Sequence, residues 1–340
     1  MSKILVTGTA GFIGSQLAHR LWQDKNEVVL LDNFSYGSED NLIFDDVDFR
    51  ETILRMDVRD TEGLYGLYEQ EKFDYVYHIA AISPLPDCQL NPAEAVANNV
   101  MGTVNVLEAG RRYGVKKVIF ASTSAVYENN TDFPSVEENV VPPSLIYPNT
   151  KYTAERYCQA YVDVYGMNVT CLRFTNVFGP HIDCLRKQPP VLGYLIRDYF
   201  FDRAPVLHST GEQRRDFVYV EDLIDLAIKV QEGEGYDVVN VSTNTTHSIN
   251  EMAEIAARCM GKAHLKPQYV SSDNYWKKYP ELYEGAYTIS EEALDREVVK
   301  FTQLSNEHAK QKYGWEPKVG FEEGIQKTIE FSVKVLGKVK

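Results

Sequence analysis

The chain has 340 residues and a formal charge of −14, with 44% hydrophobic and 25% charged residues. That composition is globular rather than disordered. The excess of 49 acidic over 35 basic residues repels phosphate backbones, which argues against nucleic-acid binding as a main activity. No apolar run approaches the roughly 18 residues of a membrane span, and the start MSKILVTG lacks the charged, apolar and small-residue regions of a signal peptide. The expectation is a soluble, cytoplasmic protein. Its five cysteines form no C-x-x-C pair and its seven histidines no H-x-x-x-H pair, so neither a disulfide framework nor a metal site is expected.

Taken in chain order, apolar runs at Ile4–Val6, Val28–Leu31, Tyr75–Ile79, Val118–Phe120 and Val169–Leu172 predict strands. Amphipathic stretches at Phe12–Leu21, Asn98–Tyr113 and Thr150–Tyr165 predict the helices between them. Strands that alternate with helices pair in parallel through right-handed crossovers. The expectation is therefore an α/β fold, a Rossmann-type doubly wound parallel sheet over residues 1–178. A smaller C-terminal α/β substrate-binding domain takes 179–340, with room for part of the later chain to return to the sheet. Residues His181–Pro190, with two adjacent prolines and no period, read as a loop. Helical signals return at Val220–Gln231, after the capping-box pattern Ser248-Ile249-Asn250-Glu251, and at Phe321–Val335. The tyrosine-rich stretch Ser271–Tyr287 reads either as a substrate-facing loop or as a surface-packed aromatic cluster.

The first strand runs into Gly8-Thr9-Ala10-Gly11-Phe12-Ile13-Gly14. Glycines at this spacing permit a tight turn, close approach of backbone to a pyrophosphate, and close helix–strand packing. The free N–H groups of the following helix favour phosphate. The second strand ends at Asp32, where a carboxylate accepts both hydroxyls of an adenosine ribose and repels a 2′-phosphate. With no arginine beside it in the sequence, NAD is favoured over NADP. Asp57-Val58 ends a further strand-like run and is placed to meet an adenine. Ala80-Ala81 follows Tyr75–Ile79, where small side chains let a cofactor lie against the backbone.

Tyr147 and Lys151 stand four residues apart, on one face of a predicted helix that Pro148 is suited to open. A neighbouring cation, with an oxidised nicotinamide, favours phenolate and so fits Tyr147 for general-base catalysis. The strand Val118–Phe120 delivers Ser122-Thr123-Ser124 at its carboxyl end, where ligands sit in doubly wound sheets.

The set T-G-x-x-G-F-I-G, Asp32-Asn33, Asp57-Val58, His78-Ile79-Ala80-Ala81, Asn99, Ser122-Thr123-Ser124 and Tyr147…Lys151 resembles the extended short-chain dehydrogenase/reductases, and more narrowly their nucleotide-sugar epimerase/dehydratase branch, UDP-glucose 4-epimerase-like members included. The likeness continues through Arg173–Pro180, Gly211–Val220 and Gly314-Trp315-Glu316-Pro317. It implies an NAD site made of Gly8, Gly11, Phe12, Ile13, Asp32, Asn33, Ser35, Gly37, Asp57, Val58, Ala80, Ala81, Asn99, Ser122, Tyr147 and Lys151. It implies a nucleotide-diphosphate-sugar site made of Ser83, Thr123, Ser124, Tyr147, Asn176 and Arg215, with the last two on the diphosphate. Tyr147, Lys151 and Thr123 would be the catalytic residues. It further implies a homodimer joined through the helices Asn98–Tyr113 and Thr150–Tyr165, Val100, Val104, Leu107, Tyr113, Tyr157, Ala160, Tyr161 and Tyr165 being the apolar residues on offer.

Two departures narrow the reading. Dehydratases and decarboxylases of the branch usually carry a carboxylate immediately before Val126-Tyr127, where this chain has Ala125, and Ser124 stands where dehydratases have aspartate. The expected activity is C4 epimerisation through a transient 4-keto sugar, or a 4-dehydrogenase or ketoreductase with dissociable NAD(H). Where relatives carry arginine-proline-glycine-aspartate near the second substrate phosphate, this chain reads Leu282-Tyr283-Glu284-Gly285.

Overall fold

Seven parallel strands form the central sheet of the computed structural model, which describes residues 1–338. In chain order the strands are β1 (Lys3–Thr7), β2 (Glu27–Asp32), β3 (Leu54–Arg55), β4 (Tyr75–His78), β5 (Lys117–Thr123), β6 (Val169–Phe174), β7 (Asn176–Phe178), β8 (Val206–His208), β9 (Arg214–Tyr219), β10 (Tyr236–Val241), β11 (Thr246–Ser248) and β12 (Gln268–Val270). The central order is β10-β6-β5-β4-β1-β2-β3, with smaller sheets β11-β9-β7 and β12-β8 beside it.

Side chains alternate across β1, so Ile4 and Val6 enter one core and Leu5 the other. The first core is closed by the helices Phe12–Gln23 and Val220–Lys229, through Leu17, Leu223 and Leu226. The second is closed by Thr61–Glu71, Gly102–Tyr113 and Ile146–Tyr165, through Leu64, Leu107 and Ala154. Burial on both faces is why the strands read as unbroken apolar runs. A third core joins Phe178 of β7 and Phe217 of β9 to the helices Val191–Phe200, Ile249–Cys259 and Phe321–Gly337. The expected capping box is formed, Ser248 and Glu251 each bonding the other's backbone. From the later chain, β10 pairs with β6 at the edge of the central sheet, and Trp315 packs in the first core.

Residues 181–190 form a loop, as expected. In Ser271–Tyr287 the aromatic cluster prevails. Trp276 is buried against Tyr279 and Leu294 and donates its Nε1–H to the Leu294 carbonyl at 3.1 Å. The cluster packs on Leu85 and Leu90 of the short helix Leu85–Leu90 that follows β4. The helix expected over Asn98–Tyr113 is instead a π-helical turn, Ala97–Met101, continued by Gly102–Tyr113. Among the described residues no helix is long and apolar enough to cross a membrane.

From β1 the chain builds outward through β2 and β3, then resumes on the other side with β4, β5 and β6. This reversal beside β1 opens a crevice at the carboxyl ends of β1 and β4.

Candidate active site

That crevice is a cavity of about 650 Å³. Gly8, Gly11, Phe12, Ile13, Asp32, Asn33, Ser35, Gly37, Val58, Ala80, Ala81, Ser83, Ser122, Tyr147 and Lys151 all line it. The glycine turn is shaped by close approach. Gly8 has φ +76°, and a Cβ there would lie 2.6 Å from the Ala80 amide nitrogen. A Cβ on Gly14 would lie 2.0 Å from the Gly8 carbonyl oxygen, so the helix packs directly on the turn. That helix begins after Gly11 with no side-chain cap, leaving the Phe12 and Ile13 N–H groups without helical acceptors on the cavity wall.

Asp32 is buried at the end of β2. Its Oδ2 accepts from the Ala10 N–H at 2.9 Å and its Oδ1 from the Phe34 N–H at 2.7 Å. Burial raises its pKa against the pull of these backbone donors. Each oxygen keeps a second lone pair for a ligand hydroxyl. One expectation needs correction. Strand pairing sets Arg55 opposite Asp32, with its guanidinium 4.0 Å from the Phe34 ring. Arg55 is paired with Glu39, so its charge is compensated rather than offered to a phosphate.

Asp57 and Asn99 do not line the cavity. Asp57 accepts from Asn33 Nδ2 at 2.8 Å and pairs with Arg59, whose hydrogen bonds hold its carboxyl down at about 2. Asp57 thus braces Asn33, which does reach the cavity. The amide of Asn99 is spent inside the protein, accepting from the Ile82 N–H at 2.8 Å and donating to the Ile82 carbonyl at 2.9 Å and Thr150 Oγ1 at 3.0 Å. The π-helical turn swings its neighbour Asn98 to the cavity wall instead, where the buried Oδ1 has no partner among the described residues. Free helix N–H groups, a ribose-type carboxylate and this orphaned amide oxygen fit a dinucleotide.

His78, at the end of β4, was absent from the expected site and supports it from behind. Its Nδ1 accepts from Thr7 Oγ1 at 2.8 Å, and its Nε2–H donates to Thr103 Oγ1 at 3.1 Å; Thr103 in turn donates to the Asn99 carbonyl at 2.7 Å. Burial pushes its pKa down to about 3, so the ring is neutral near pH 7.

Tyr147 lies in the first turn of the helix Ile146–Tyr165, with Pro148 where no helical N–H is needed. Lys151 follows one turn later, buried, and donates to the Ala121 carbonyl at 2.8 Å with its ammonium 4.6 Å from the Phe120 ring centre. Burial pushes Lys151 down to about 8 and Tyr147 up to about 12; a hydrogen bond with Thr123 pulls the phenol the other way. In the protein alone, desolvation of the phenol outweighs the Thr123 hydrogen bond; the phenolate expected from Lys151 acting together with an oxidised nicotinamide belongs to the cofactor-bound protein. Thr123 Oγ1 also accepts from the Ala125 N–H at 3.1 Å, fixing the hydroxyl that faces Tyr147. Ser122 lines the cavity, yet its hydroxyl donates to Glu155 one turn beyond Lys151.

Ser83 sits exposed on the lip, while Thr123, Ser124, Asn176 and Arg215 lie off the cavity wall, Thr123 reaching the site only through its hydrogen bond with Tyr147. Asn176 Nδ2 donates to the Asp216 carbonyl at 2.9 Å. Arg215 donates to the carbonyls of Lys300 at 2.8 Å, Val298 at 3.0 Å and Glu297 at 3.1 Å, satisfying the end of the helix Glu291–Val299. Sequence reasoning missed Tyr36, whose phenol donates to Asp87 Oδ2 at 2.9 Å and ties the loop after β2 to the helix after β4.

A switch-point crevice with a glycine turn, a buried carboxylate at the end of β2 and a tyrosine–lysine helix is the arrangement that suits a dinucleotide-dependent enzyme. The chain belongs to the NAD-dependent epimerase/dehydratase family, whose model matches residues 4–242. It is 29% identical to UDP-glucose 4-epimerase of Mycolicibacterium smegmatis, over 97% of this chain and 98% of that one. It is 30% identical to UDP-glucuronic acid decarboxylase 1 of Xenopus tropicalis, over 98% of this chain and 73% of that one. The solved structure of a UDP-glucose 4-epimerase with UDP-glucose from Thermotoga maritima matches with a TM-score of 0.85 at 29% identity, covering 98% of this chain and 99% of that one.

Proposed function

We propose that the protein is a nucleotide-sugar 4-epimerase working through a transient 4-keto sugar. The observation that carries this reading is the pairing of Tyr147 with the Thr123 hydroxyl at a position where Ala125 supplies no carboxylate. The carboxylates that do line the cavity are Asp32, Asp40 and Asp183, none of them on the strand or helix that bears Thr123 and Tyr147. Removing a C5 proton, as dehydration requires, needs such a base, and alanine is none.

Gly11, Phe12, Ile13, Asp32 and Asn98 would hold the dinucleotide. Bound in oxidised form, its nicotinamide supplies a reversible hydride acceptor and a positive charge that favours phenolate. Tyr147 takes the proton of the sugar 4-hydroxyl at its Oη as C4 is oxidised. Thr123 shares that hydroxyl oxygen and keeps it within reach. Lys151, anchored on the Ala121 carbonyl, would hold the nicotinamide ribose. After the keto sugar presents its other face, Tyr147 returns the proton.

The test is to incubate purified protein with UDP-glucose, UDP-glucuronate and UDP-N-acetylglucosamine while following sugar configuration and absorbance of reduced cofactor. Interconversion of 4-epimers without net NADH is expected. Stoichiometric NADH from every accepted sugar means a dehydrogenase, and release of carbon dioxide means a decarboxylase.

The reading extends to a homodimer. Of the helix residues expected at the interface, Val100 and Leu107 are buried within the protomer. Tyr157 and Tyr165, both expected there, are exposed at 44% and 54%, and Met101 at 51% and Val164 at 69% extend the apolar face. An apolar helix face of this breadth calls for a second partner besides the sheet. Sedimentation at micromolar concentration should give a dimer mass; a monomer overturns the assignment.

A further inference from the structure

The two hydroxyls that meet in the site come from separate elements. Thr123 ends β5 and caps the short helical turn Ser124–Tyr127, while Tyr147 stands in the first turn of the helix Ile146–Tyr165. Neither element fixes the other through its own backbone. The helix begins after Leu145 with no side-chain cap. Its entry must be held from elsewhere, because the first N–H groups of a helix have no helical acceptor.

Glu128 closes the turn and holds that entry. Its N–H donates to the Ala125 carbonyl at 3.0 Å, which ends the turn. Its Oε1 accepts from the Ser144 N–H and, at 2.8 Å, from the Leu145 N–H. One side chain thus joins a position five residues after Thr123 to positions two and three residues before Tyr147. The other bonds to this entry are made by neutral amides. Gln89 Oε1 accepts from the Ile146 N–H at 3.2 Å, and Asn129 Nδ2 donates to the Pro142 carbonyl at 2.7 Å and Ser144 Oγ at 2.9 Å. A carboxylate makes the stronger bond, and its negative charge suits the N-terminal end of a helix.

Glu128 also lines a recess of about 20 Å³ with Leu145 and with Arg296, Glu297 and Lys300 of the segment packed across it. Lys300 pairs with Glu297 at 2.6 Å. The second oxygen of Glu128, Oε2, is buried and has no partner among the described residues. Burial raises the Glu128 carboxyl, the Leu145 and Ser144 N–H groups pull it back, and Glu297 and Lys300 act in opposite directions. A free glutamate side chain would turn that oxygen to water; the two N–H donors hold the carboxyl in place against the cost.

Resting on the epimerase reading above, we propose that Glu128 is a positioning residue for turnover, which sets the alignment of Thr123 with Tyr147 by gripping the Ser144 and Leu145 amides. Glu128 is not among the residues lining the dinucleotide cavity, so it acts through Tyr147 and not on a ligand.

The test uses the NAD-loaded full chain as wild type, Glu128→Ala and Glu128→Gln, with thermal melts and NAD titration on each. Glu128→Ala should lower kcat about 10- to 100-fold, the effect of displacing a reacting group by about 1 Å. KM should stay within about threefold, because substrate binding does not depend on Glu128. Glu128→Gln keeps an acceptor oxygen for both N–H groups and should recover most of the rate. A readout that needs no substrate is the ionisation of the Tyr147 phenol. It is taken as the difference in tyrosinate absorbance between each protein and its counterpart that also carries Tyr147→Phe. Glu128→Ala should move that ionisation up by about 0.5–1 pH unit, the size of one lost hydrogen bond to Thr123. Should Glu128→Ala fail to fold, Glu128→Asp, one methylene shorter, carries the same two expectations. Either readout unchanged in the folded variant overturns the proposal. So does a Glu128→Gln no faster than Glu128→Ala, or a lowered melting temperature with both readouts intact. If wild type turns over none of the nucleotide sugars, the epimerase reading falls, and the phenol titration alone decides the role of Glu128.

Discussion

Tyr147→Phe should cut turnover by about 10²–10⁴-fold, the usual contribution of a positioned acid–base group. The substitution removes only the phenolic oxygen. The ring is half-buried on the cavity wall beside Ile82 and Cys88, and phenylalanine fills that space without leaving a void. Lys151 keeps its bond to Ala121, because that contact does not involve the phenol. NAD binding and thermal stability should therefore stay near wild type while the rate collapses. Equilibrium titration of NAD alongside initial rates checks both halves. More than about a tenth of the rate remaining would remove Tyr147 from the proton-transfer step.

Arg173→Leu should destabilise the fold by about 3–5 kcal/mol, the cost of leaving a buried charge without its partner. Arg173 Nε and Nη2 donate to the two oxygens of Glu155 at 2.9 and 2.7 Å, and the side chains are 4% and 2% exposed. The same guanidinium donates to the Tyr127 phenol at 2.6 Å and the Glu137 carbonyl at 2.8 Å. Glu155 lies one turn past Lys151 and also accepts from Ser122 at the end of β5. The pair therefore ties the helix that bears Tyr147 and Lys151 to two central strands. Removing both charges, as in Arg173→Leu with Glu155→Leu, should recover much of the loss, since no buried ion is then uncompensated. Urea unfolding of the single and double variants measures this directly. A single variant within about 1 kcal/mol of wild type would mean that water reaches Glu155.

The fold was legible because its signals are local. Strands buried on both faces leave apolar runs in the chain, and the helices between them keep a 3.6-residue period. β10 escaped that reading because it mixes apolar residues with Asp237 and Asn240. Those polar groups are satisfied only after folding, Asp237 by His308 and Asn240 by carbonyls of Ser135 and Ser305. The Leu85–Leu90 helix escaped for another reason, being too short to show a period.

The sequence by itself determined the glycine turn, the carboxylate at the end of β2 and the tyrosine–lysine pair, because each depends on residues one turn or one strand apart. Which neighbouring side chains reach the cavity was decided by contacts distant in sequence. A π-helical turn packed under Ile82 chose Asn98 over Asn99. Pairing of β2 with β3 brought Arg55 beside Asp32, and Glu39 neutralised it. Folding of 291–299 against β9 turned the Arg215 fork onto backbone carbonyls. The titration of Tyr147 was decided there too, because desolvation depends on everything packed around a group and no spacing along the chain records it.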